Sequence, residues 1–328
     1  MNEIQLSLHR ALVLAAVIFF SAVIRAGAVT IDELKPKAMD GNPEAQLYLG
    51  IMYDNGQGVP EDNKEAVKWY RLSANQGNAF ARYNLGLMYE SGEGVAKDDK
   101  EAVKWYTLSA DQGNADAQYN LGLKYDNGEG VAKDDKEAVK WYTLSADQGN
   151  AKAQNNLGQK YESGQGVTQD YKAALKVYKL AADQGNAKAR NNLGVMYAQG
   201  NGVRQDHKEA VKWYRLAADQ GNANAQNNLG SMYAQGNGVE KNDKEAVKWY
   251  KLAADQGDVN GLNSLGAMYA KGQGIEKDFI MAYALWDIAA AKGNKIAEEN
   301  RTALIKQLSQ EQIAKGQELA KKLSQEKK

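Results

Sequence analysis

The sequence predicts an all-α solenoid of seven 36-residue helix–turn–helix repeats held between N- and C-terminal capping helices. Three observations lead there. Trp69, Trp105, Trp141, Trp213 and Trp249 stand 36 residues apart or a multiple of it, with Val177 and Leu285 filling the gaps. Leu-Gly pairs recur at the same interval, from Leu49-Gly50 through Leu85-Gly86 to Leu265-Gly266. The chain also carries 32 glycines against 3 prolines, and the glycines fall at fixed places in each period. Self-similarity at such a period means stacked supersecondary units, none able to bury its apolar face alone.

Before the repeats, Ala11 to Ile24 is apolar but for Ser21 and follows the polar His9-Arg10. It is shorter than the roughly 18–20 residues that span a bilayer. With Ala26-Gly27-Ala28 behind it, the segment reads as a signal peptide over residues 1–28, cleaved after Ala28. That places the mature chain in the periplasm or outside the cell, with no stable membrane anchor. Zero cysteines exclude a lipidated N-terminus, disulfides and thiolate chemistry. Lys plus Arg equals Asp plus Glu at 41 each, and no basic stripe stands out, which argues against a nucleic-acid partner.

Residues 29–40 align with the tail of a second helix, Ala38 at its inner position, and form the N-terminal cap. The repeats then run without insertion as 41–76, 77–112, 113–148, 149–184, 185–220, 221–256 and 257–292. In the second, Asn78 is a good N-cap. Ala81, Leu85, Met88 and Tyr89 follow at helical spacing, and Gly92 stops the helix, with Gly94-Val95 in the turn. Asp98 and Glu101 form a capping-box pattern for a second helix with Ala102, Tyr106 and Ala110 inward. Gly86 sits in mid-helix, where glycine costs about 1 kcal/mol against alanine, so close approach of the second helix must offset it. Residues 293–328 hold the C-terminal caps: a helix over 294–308, then one capped by Ser309 whose Ile313, Leu319 and Leu323 cover repeat seven. Phe279, Ile280 and Met281, apolar where other repeats are polar, read as the surface under that cap.

The pattern of Ala81, Leu85-Gly86, Tyr89, Gly92-x-Gly94-Val95, Asp98, Lys100-Glu101-Ala102, Trp105-Tyr106, Ala110 and Gly113 closely resembles the Sel1-like repeat family, relatives of tetratricopeptide repeats. The resemblance covers 41–292 and implies a right-handed α/α superhelical solenoid. It also implies an adaptor or scaffold that binds proteins. Repeat four departs from the pattern with Val177 for Trp and Ala173 for the capping Glu. A cysteine-rich branch linked to β-lactam hydrolysis is not resembled, for want of cysteine.

Nothing in the sequence assembles a catalytic site. His207, the one histidine after cleavage, stands among Asp206 and Lys208 without converging ligands. No G-x-S-x-G elbow occurs, and G-x-G without a third glycine or preceding strand is no dinucleotide loop. No cofactor or metal is expected. By similarity to tetratricopeptide repeats, the first-helix stripe opposite Leu85 and Met88 lines the concave groove. Its composition changes along the chain. Asp54, Glu90, Asp126 and Glu162 at one position give way to Ala198, Ala234 and Ala270. Leu47, Tyr83 and Tyr119 at another give way to Asn155, Asn191, Asn227 and Asn263. One reading makes Tyr83, Leu87, Tyr119 and Leu123, with Phe80 at the rim, anchors for a peptide or protein segment with apolar and basic residues. Asp54, Glu90, Asp126 and Glu162 would then orient it. The other reading leaves the same side chains packing between neighbouring repeats. A carbohydrate- or peptidoglycan-associated module, or a hydrolase, are the alternatives from other classes.

Overall fold

The computed structural model describes residues 30–325, so the apolar segment and its cleavage point lie outside the described residues. Every described element is helical. The N-terminal cap is α1 (Ile31–Met39). Repeats one to three pair α2 (Pro43–Asn55) with α3 (Asn63–Asn75), α4 (Ala79–Ser91) with α5 (Asp99–Ala110), and α6 (Ala115–Asn127) with α7 (Asp135–Asp147). Repeat four contributes α8 (Ala151–Ser163) and α9 (Tyr171–Asp183). Repeats five to seven pair α10 (Ala187–Gln199) with α11 (His207–Ala218), α12 (Ala223–Gln235) with α13 (Asp243–Asp255), and α14 (Val259–Lys271) with α15 (Phe279–Ala291). The last two are α16 (Lys295–Ile305) and α17 (Gln310–Gln325). The chain divides after Gln169 into an N-terminal body, ending with α8, and a C-terminal body beginning with α9.

Local chemistry sets the helix ends. In α4 the Ala81 amide donates to the Asn78 side chain at 2.9 Å, and Gly92, at φ 82°, closes the helix by donating to the Met88 carbonyl. In α5 the Asp98 carboxylate accepts from the amides of Lys100 and Glu101 at 2.9 and 3.1 Å. The expected second half of that capping box does not form. The Asp98 amide is already bonded to the Tyr89 carbonyl at 2.9 Å, so Glu101 turns outward to Lys104 at 3.2 Å. A reciprocal box does form at α17, where Ser309 and Gln312 bond each other's amides at 3.2 and 2.9 Å.

Two glycines of repeat two are required by close approach. A Cβ on Gly86 would stand 2.6 Å from the Tyr106 ring, so the mid-helix glycine admits the tyrosine of its partner helix. A Cβ on Gly94 would stand 2.1 Å from the Asn63 carbonyl oxygen, in the preceding repeat. The turn glycine is therefore also the joint between repeats. Trp141 lies across such a joint: it shares one core cluster with Ala102, Tyr106 and Ala110 of repeat two and Ala117 and Leu121 of repeat three. In the C-terminal body, Phe279 and Met281 pack with Leu308 and Ile313 around Tyr283 and Trp286. Gly316 and Ala320 are the buried residues of α17, while Leu319 and Leu323 are only half-buried. A Cβ on Gly316 would meet the Tyr283 ring at 2.5 Å.

Candidate functional site

The stripe singled out above is carried by α2, α4, α6 and α8, all in the N-terminal body. Leu47 is fully buried and faces the core. Phe80, Tyr83, Leu87, Tyr119 and Leu123 are half-buried, so each is packed on one side and open on the other. Tyr83 and Leu87 rest on the core of Tyr106, Leu121 and Trp141, and Phe80 on that of Leu85 and Ala81. The Tyr83 ring lies 6.0 Å from that of Tyr106 with a 38° tilt, and Tyr119 repeats the arrangement on Tyr142 at 6.2 Å and 37°. Such tilted pairs at 4.5–7 Å are favourable beyond the area they bury. Burial, then the nearby Asp116, push the Tyr83 hydroxyl up to about 12, so it remains a neutral donor.

The carboxylates of Asp54, Glu90 and Asp126 are engaged internally. Asp54 accepts from the Tyr70 hydroxyl at 3.0 Å, and burial raises its carboxyl against that bond. Glu90 accepts from the Tyr106 hydroxyl and pairs with the Lys124 ammonium at 2.7 Å. Asp126 accepts from the Tyr142 hydroxyl at 3.2 Å and pairs with Lys160 at 2.5 Å. Glu162 is half-buried, and its main-chain carbonyl accepts from the Gln169 side chain at 2.8 Å.

Lys124 and Lys160 are the residues that the reading of the stripe missed. Lys124 is 2% exposed and reaches Asp99 at 3.0 Å and Glu129 at 2.9 Å besides Glu90. Lys160 is 6% exposed and reaches Asp135 at 2.8 Å and Gln165 at 3.3 Å besides Asp126. Each ammonium thus uses its three donors on three acceptors. Desolvation would lower both ammonium groups, but the surrounding hydrogen bonds and charges outweigh it and hold them above the ordinary lysine value. The same bonds lower the carboxyls of Glu129 and Asp135. A signal was present: the corresponding residue is Met52, Met88, Met196, Met232 and Met268 in the other five repeats. Beside Lys160, an open cleft of about 400 Å³ is lined by Asp126, Asn156, Gln159, Glu162 and Ser163.

The corresponding stripe of the C-terminal body is an amide ladder. Asn191 accepts from Asn228 at 3.0 Å, Asn227 from Ser264 at 3.0 Å, and Asn263 from Asn300 at 3.1 Å. Here hydrogen bonds run from one repeat to the next, whereas the ring pairs of Tyr83 and Tyr119 lie within repeats two and three. His207 is half-buried at the start of α11, and among the described residues no group of three His, Asp or Glu is placed to hold a metal ion.

The Sel1 repeat model matches seven consecutive segments, 43–78, 79–114, 115–150, 151–186, 187–222, 223–258 and 259–294. Among solved structures, a Sel1 repeat protein from Oxalobacter formigenes is 36% identical, with 84% of this chain and 79% of that one covered, at a TM-score of 0.68. The c5321 protective antigen of uropathogenic Escherichia coli, which displays an SLR fold, is 31% identical over 89% of this chain and 78% of that one, at a TM-score of 0.44. No curated protein matches the sequence.

Proposed function

The chain belongs to the Sel1 repeat family, whose repeats generally serve as scaffolds for protein–protein interaction, and on that premise we propose that it is an exported scaffold holding a partner protein or peptide on the first-helix face of repeats two and three. The observation that carries the reading is the half-open row of Phe80, Tyr83, Leu87, Tyr119 and Leu123. Large aromatic and aliphatic groups, already fixed on one side by core contacts, lose little freedom when a partner covers the other. The carboxylates act through field rather than direct pairing, since Glu90 and Asp126 already have partners. Five carboxylates surround the two buried ammonium groups, and Asp54 and Glu162 lie on the same face. A segment with apolar anchors flanked by Lys or Arg is the complement. Export rests on the apolar run Ala11 to Ile24 and the small residues Ala26-Gly27-Ala28.

A second reading, a carbohydrate- or peptidoglycan-associated module, draws on the amide and hydroxyl lining of the cleft at Asn156, Gln159 and Ser163. One experiment separates the two. A photo-crosslinking amino acid in place of Phe80 should trap a protein adduct in intact cells, while the same group at the exposed Leu144 on the second-helix face should not. An adduct released by muramidase and resistant to protease favours the second reading. Protein adducts from Leu144 alone contradict the proposed face.

A further inference from the structure

We infer that Lys124 and Lys160 are acid-released latches that pin repeats two, three and four in register, a device that repeats five to seven do not contain. The geometry is that of a staple. Lys124 leaves α6 of repeat three and is held by Glu90 from α4 and Asp99 from α5, both in repeat two, and by Glu129 from its own turn. Lys160 leaves α8 of repeat four and is held by Asp126 from α6 and Asp135 from α7, both in repeat three, with Gln165 completing the set. The other charged or titratable groups at these sites are Lys97, 4.0 Å from Asp99, Lys133 acting on Asp135, and the Tyr106 and Tyr142 hydroxyls on Glu90 and Asp126. In repeats five to seven the lysine is replaced by Met196, Met232 and Met268, and Ala198, Ala234 and Ala270 stand where Glu90 and Asp126 do.

A buried ammonium is tolerated only while its acceptors are charged and in place. Glu129 and Asp135 are held below the usual carboxyl range by their lysines, so their contribution is complete above the unfolded value near pH 4 and is lost as pH falls through the folded value. Lys124 and Lys160 are shifted upward, so their own titration removes nothing until the solution is strongly alkaline. The latches therefore hold across neutral pH and fail on the acid side. Once the carboxylates are protonated, the ammonium must reach water, and it can do so only if neighbouring repeats separate. Glu90 and Asp126 belong to the candidate partner face, so that face loosens with them.

Hydrogen exchange on the full mature chain tests this without any partner. Between pH 7 and about pH 2, which takes the carboxylates through their lowered folded range, after correction for intrinsic exchange, protection in α6 and α8 should fall at least tenfold more than protection in α12 and α14. The K124M/K160M variant carries the residue found in the other five repeats, which favours folding. It leaves the carboxylates clustered without cations, so the preferential loss in acid should vanish or reverse. Equal acid loss in both bodies of the wild-type chain would overturn the inference. So would a variant that keeps the wild-type difference.

Discussion

Gly86 sits in a helix interior, where replacing glycine by alanine ordinarily gains about 1 kcal/mol. Here the added methyl would stand 2.6 Å from the Tyr106 ring. Gly86→Ala should therefore destabilise the chain, by about 1–3 kcal/mol as for other overpacked cores, measured as a lower urea midpoint. A midpoint that rises would mean that propensity decides and that close packing does not. The need for this glycine was readable, because a costly residue repeated in seven helices signals a contact. That for Gly94 was readable only in part: its turn conformation is written locally, but the Asn63 carbonyl it accommodates belongs to the preceding repeat. Lys124 was harder still. Its acceptors Asp99 and Glu129 lie 25 residues before it and 5 after it, so nothing local distinguishes it from an exposed lysine. Only the methionines of its sister repeats mark the position as core.

At the scale of elements, the start and stop signals translated directly into helices. Asn78, Gly92, Asp98 and Ser309 all act where the pattern placed them. The capping box was half right, because Tyr89 competes for the Asp98 amide through a tertiary bond that no sequence spacing shows. The two halves can be told apart by mutation. Asp98→Ala removes the acceptor of two amides and should cost about 1 kcal/mol. Glu101→Gln removes only an exposed pair with Lys104 and should cost less than about 0.5 kcal/mol. Equal losses in thermal unfolding would show that Glu101 caps the helix after all. The cap helix α17 teaches the same lesson from packing. Its apolar spacing pointed to Leu319 and Leu323, but the tight contact with Tyr283 selects the small residues Gly316 and Ala320 instead.

For the whole molecule, the repeat count and register could be read almost completely, since 36-residue periodicity is a property of the chain itself. The division after Gln169 could not, though repeat four does depart from its sisters at Ala173 and Val177. The change in the first-helix stripe was visible as composition but not as geometry. The tyrosines pair ring on ring inside repeats two and three, whereas the asparagines of the other body bond from one repeat to the next. What distinguishes the N-terminal body is the apolar surface that its tyrosines and leucines leave open after those contacts are made. The central claim is that this surface holds a partner, and affinity capture from envelope extract with the mature chain from Val29 tests it most directly. The comparison is the Y83N/L87A/Y119N variant, whose new residues are those the C-terminal body carries as Asn191, Ala267 and Asn227. With helical signal and unfolding midpoint checked, the account predicts a partner bound by the wild type and weakened at least tenfold in the variant, in keeping with loss of about 1–2 kcal/mol or more at anchoring aromatics. A partner held equally by both chains would contradict it.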